Sequence, residues 1–72
     1  MENPLVTFVK SRRKTLGMTQ EDLALRAGVG LRFVRELEQG KKTLRVDKVN
    51  QVLALFGHEL GPVRSMQEPS DE

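Results

Sequence analysis

The chain contains no cysteine, so neither a disulfide nor a thiolate metal site can staple it. That absence matters at 72 residues, near the length at which one apolar core is marginal alone. Oligomerisation is the remaining common remedy. No long apolar run is present, which excludes a membrane-spanning helix, and no signal peptide opens the sequence. A soluble, cytoplasmic protein is expected. Histidine is nearly absent as well, His58 being the only one. There is no Ser–His–acid arrangement and no metal-ligand spacing, and the glycines sit as helix caps rather than in a phosphate-cradling loop. No catalytic site, cofactor or metal is expected, and the chain reads as a binding protein and not an enzyme.

Charge is plentiful and unevenly spread. Through Gly57 eleven basic residues face six acidic ones, a balance of +5, while from His58 onward Arg64 alone faces four acids, a balance of −3. A basic body favours a polyanionic partner, and the acidic tail cannot share that surface comfortably.

The stretch from Thr19 to Gly40, TQEDLALRAGVGLRFVRELEQG, organises the rest. Thr19 followed three residues later by Asp22 is a capping-box start. Leu23, Ala24 and Ala27 recur at helical spacing until Gly28, whose left-handed conformation ends the helix. Val29 fills the corner, and a second helix begins at Gly30 or Leu31, shows Val34 and Leu37 to the core, and ends at Gly40. Two capped helices joined by a short Gly-containing turn make a helix-turn-helix motif.

An earlier helix is expected from Pro4 to about Leu16, with Leu5, Phe8, Val9 and Leu16 on one face and Met18 stapled onto Leu23. A later one is expected from about Val46 to Phe56, with Val46, Val49, Leu53 and Phe56 as its stripe and Val52 widening it. Leu55 falls off that stripe. Between Gly40 and that later helix, KKTLR is a short basic connection whose lysines, followed by Arg45, can meet phosphate.

The segment VKSRRKTLGMTQEDLALRAGVGLRFVRELEQGKKT resembles the helix-turn-helix family of the lambdoid phage repressors and Cro, and within it the HipB-like antitoxins. The likeness covers about Leu5 to Leu60 and rests on Thr19-Gln20, Leu23-Ala24, Gly28-Val29, Leu37-Glu38 and Gly40-Lys41 together. It implies an all-α, compact four-helix DNA-binding domain over residues 4–57, preceded by a flexible 1–3. It also implies an ion pair between Arg13 and Glu38, with two solvated charges as the alternative. By position, Gly30, Leu31, Arg32, Arg35 and Glu36 would point towards bases, and Gln20, Lys41 and Lys42 would meet phosphate. HipB-like proteins end in a short strand that pairs across a dimer axis. Residues 58–64 are read as that strand, with a disordered tail as the alternative, and 65–72 as an unstructured acidic tail. Leu55, His58, Leu60 and Val63 would then join a homodimer on a palindromic operator of double-stranded DNA. HipB-like proteins also bind a HipA-like kinase toxin, for which Leu25 and Leu55 are spare apolar residues; Leu25 and Phe33 are open to either an interface or a core role. The function expected is that of a sequence-specific repressor and antitoxin. The alternative is a stand-alone regulator or a protein-interaction module of the same fold with weak DNA binding.

Overall fold

The computed structural model describes residues 3–63. Four helices follow in order: α1 (Pro4–Thr15), α2 (Gln20–Ala27), α3 (Leu31–Glu38) and α4 (Val46–Ala54). Asn3, expected in a flexible N-terminus, caps α1: its Oδ1 accepts the Val6 N–H at 2.8 Å, and Pro4 follows where a missing N–H costs nothing. At the head of α2 the capping box is complete. The Asp22 N–H donates to Thr19 Oγ1 and the Thr19 N–H to Asp22 Oδ2, both at 3.0 Å. Hydrogen bonding to the Asp22 carboxyl from the Thr19 N–H, and after it from the Thr19 hydroxyl, holds that carboxyl below its ordinary range. Thr19→Ala is expected to cost about 1 kcal/mol and to lower the thermal midpoint by about 4–8 °C in a domain of this size. An unchanged melting curve would exclude the cap as a contributor.

The C-terminal ends repeat one device. After α1, α3 and α4, the N–H groups at Met18, Lys41 and His58 reach back to the carbonyls of Arg13, Glu36 and Leu53 at 2.9–3.0 Å. The residues before them, Gly17, Gly40 and Gly57, close the inner bond with positive φ. This is the Schellman arrangement. It turns the chain sharply enough for Met18 to enter the core.

The core consists of Val9, Met18, Leu23, Ala24, Val34, Leu37, Val49, Val52, Leu53 and Phe56, with Leu5, Phe8, Ala27, Val29, Leu31, Phe33 and Leu44 packed around it. Phe33 therefore enlarges the core, whereas Leu25 is 83% exposed. Two of the expected stripe positions are corrected. Leu16 is exposed because α1 ends at Thr15 and Leu16 is its cap; Val6 is buried on that helix instead. Val46 is exposed because the buried face of α4, made by Val49, Val52, Leu53 and Phe56, centres about 70° away at 100° per residue. Val52, fully buried at one edge of that arc, widens the stripe as its position predicts.

No strand forms among the described residues, and 58–63 have no regular structure. Two N–H groups that a ladder would use are already engaged within the chain. His58 N–H donates to Leu53 O, and Leu60 N–H to Asn50 Oδ1 at 2.7 Å. The His58 ring lies over Phe8, centroids 4.6 Å apart, and Phe8 meets Phe56 edge-on. The segment folds back along α1 and α4, which is the physical reason that a single chain shows no strand. The acidic tail 65–72 lies outside the described residues.

Candidate nucleic-acid interface

The second helix of the motif is aimed by a buried polar knot. Glu38, at the end of α3, is 4% exposed. Its carboxylate receives a two-pronged contact from Arg13 on α1, Nε to Oε2 at 2.7 Å and Nη2 to Oε1 at 2.9 Å. Arg13 Nη1 donates to the Met18 carbonyl at 3.0 Å, and Gln20 Nε2 donates to Glu38 Oε1 at 3.0 Å. Burial would push the Glu38 carboxyl up, but the hydrogen bonds from Arg13 and Gln20 and the charges of Arg13 and Lys10 hold it below its ordinary value. The hydrogen bond to Glu38 likewise raises the Arg13 guanidinium. The planar fork of arginine matches a carboxylate in a way that lysine cannot. The knot ties the end of α1, the start of α2 and the end of α3 together, so α3 cannot roll independently.

Gln20 is therefore placed differently from a free phosphate ligand. One N–H of its amide is engaged by Glu38; what it still offers an anion is the other amide N–H and its backbone N–H in the first turn of α2.

With Val34, Leu37 and Glu38 buried, the outer face of α3 is fixed. At 100° per residue, Arg35, Gln39, Arg32 and Glu36 fall within an arc of about 100°. Arg32, Arg35 and Gln39 are exposed and Glu36 partly so. Gln39 was missed by the sequence reading because it sits after the last helical residue, at the cap; continuing the helical period by one position would have found it. Leu31 is half-buried against the core, so its side chain is shared between packing and surface. Gly30 is the bare N-cap of α3: it has ordinary extended φ and ψ, makes no side-chain cap, and a Cβ built there would meet nothing within 4 Å.

The surrounding cations differ in availability. Arg35 and Lys42 make no ion pair among the described residues. Arg32 and Lys41 both approach Glu36, at 3.2 and 3.4 Å. Arg45 holds Asp47 through Nη2 at 2.7 Å and Nε at 3.2 Å; the hydrogen bond from Arg45 leads the causes that keep the Asp47 carboxyl low. That pair is exposed, and exposed pairs yield easily to a competing phosphate. Leu55 and Leu60 are each 38% exposed and Val63 more so. No cluster able to hold a metal ion occurs among the described residues, nor any helix long and apolar enough to cross a membrane.

Two helices at a fixed angle, the second showing a polar, arginine-bearing face, define the helix-turn-helix class. Residues 9–60 match the Helix-turn-helix family model, and the chain belongs to that family. It is 49% identical over 50 residues to an uncharacterised HTH-type transcriptional regulator of Sinorhizobium fredii, covering 69% of this chain and 66% of that one. A second such regulator, from Methanothermobacter thermautotrophicus, is 34% identical over 53 residues, covering 74% of this chain and 77% of the relative. The chain thus spans just under two thirds of the Sinorhizobium protein.

Proposed function

We propose that the chain is a sequence-specific double-stranded DNA-binding transcriptional repressor, acting where the genome is, without catalysis or cofactor. The observation that carries this reading is the outer face of α3, two arginines and a glutamine held outward by a buried knot. Its N-terminal residues enter the major groove while α2 lies across the backbone. Arg32 and Arg35 can each donate two hydrogen bonds to guanine O6 and N7, Glu36 can accept from cytosine N4, and Leu31 can meet a thymine methyl beside Gly30. Lys41, Lys42, Arg45 and the α2 N-terminus at Gln20 supply phosphate contacts. The regulators it resembles support the transcriptional role. Selection of bound fragments from a genomic library, followed by filter binding, tests it; retention of every fragment alike would leave only a non-specific polyanion binder.

A homodimer completes the reading. One module covers roughly 600–1,000 Å², low for specific binding, and a twofold pair doubles the contacts on half-sites about one helical turn apart. Leu5, Phe8, Leu53, His58, Leu60 and Val63 line a largely apolar groove of about 280 Å³ that a second chain's 58–64 segment could pair along, with exposed Leu55 as a further apolar contact. Removal of His58 onward should give a folded monomer with weaker operator binding, read by sedimentation. The likeness to HipB-like antitoxins extends the proposal to a HipA-like kinase toxin as partner, for which Leu25, 83% exposed, is the available apolar contact. Co-purification with the product of the neighbouring gene tests that step; DNA binding without such a partner means a stand-alone repressor.

A further inference from the structure

The DNA-binding reading accounts for the arginines of α3 better than for the carboxylate among them. Glu36 Oε2 accepts from Arg32 Nε at 3.2 Å, one turn earlier on the helix, and Oε1 lies 3.4 Å from Lys41 Nζ, in the turn beyond Gly40. The Glu36 side chain is 25% exposed, against 92% for Arg32 and 47% for Lys41. The acid is thus the better-anchored member, with a separate cation on each oxygen. DNA phosphates brought to this face repel Glu36 and compete for both of its cations.

We propose that Glu36 is a specificity-determining residue that works as an internal counter-ion, withholding Arg32 and Lys41 from the phosphates of non-cognate DNA. The proposal rests on the reading that α3 enters the major groove. Each cation that stays with Glu36 neutralises no phosphate and releases no condensed counter-ion, so non-specific binding loses the term that drives it. At a site presenting a cytosine N4 amine, the carboxylate gains a donor from the base edge, and the two cations are freed for the backbone or for guanine. Exposed ion pairs are weak enough to exchange in this way. Arg35, outside the pairing, can read its base in either state.

The test uses the full chain and Glu36→Gln, which keeps size and an acceptor but removes the charge. Binding to a random-sequence duplex and to a selected cognate duplex is followed across a salt series. On random DNA the log–log salt slope should steepen by about 1–2, at about 0.9 per additional phosphate neutralised, with binding roughly tenfold tighter at low salt. The ratio of cognate to random affinity should fall by at least as much. Lys41→Ala supplies the second measurement. It should flatten the random-DNA slope by about 0.9 in the Glu36→Gln background and by clearly less in the natural one. An unchanged slope and selectivity in Glu36→Gln, or equal effects of Lys41→Ala in both backgrounds, overturns the counter-ion role while leaving DNA binding intact. A natural protein that retains no duplex at all overturns both readings.

Discussion

Arg13→Ala should lose about 3–5 kcal/mol of folding stability, read as a drop in the urea midpoint. A small domain holds only about 5–15 kcal/mol, so the variant would sit close to its unfolding threshold at room temperature. The cost comes less from the lost attraction than from what remains, a carboxylate 4% exposed that keeps the Gln20 amide and the charge of Lys10 but has lost its two-pronged partner. The pH dependence separates this from simple loss of packing. In the natural protein the folded Glu38 carboxyl titrates below its ordinary value. Its contribution is therefore present above the unfolded pKa of about 4.3 and fades as pH falls through the folded value. Without Arg13, burial dominates and the folded pKa rises above the unfolded one. The variant should then recover stability on mild acidification, where the natural protein does not. A loss under about 1 kcal/mol with parallel pH profiles would put the pair among ordinary surface ion pairs.

The second large effect is expected at Arg35. Arg35→Ala should cost about 1–3 kcal/mol on a selected cognate duplex and relax preference at one base pair. Arg35 ranks ahead of Arg32 as a base reader because Arg32 begins paired to Glu36 and must exchange that partner first. Lys42→Ala, on the loop, should weaken every sequence alike and flatten the salt slope by about one. Equal losses on cognate and random DNA for Arg35→Ala would remove α3 from the groove.

The local signals read well from the chain: Thr19 with Asp22, and the glycines at 17, 28, 40 and 57, each mark a helix end where one is found. These are short-range effects, set by residues within one turn of each other. What was not legible depends on rotation and on contacts across turns. The exposure of Leu16 follows from a helix ending one residue early, and the burial of Val6 from how α1 is rolled against the core. The exposure of Val46 follows from how α4 is rolled against the core, which its own periodicity leaves free by tens of degrees. The engagement of Gln20 with Glu38 and of Lys41 with Glu36 joins residues that only the finished turns bring together. Segment 58–63 alternates as a strand would, yet its backbone is claimed by Leu53 and Asn50 within one chain.

The bare cap at Gly30 places durability and recognition in opposition at a single residue. Its backbone is one any amino acid adopts, and nothing stands where a side chain would go. Asparagine there would cap α3 and restrict the unfolded chain, a gain of about 0.5–1 kcal/mol. A search for thermostable variants should therefore recover Gly30→Asn early. In the proposed docking of α3 in the major groove, the same change puts an amide between that helix and the duplex, so heat tolerance selected in the absence of DNA would arrive with an altered operator preference.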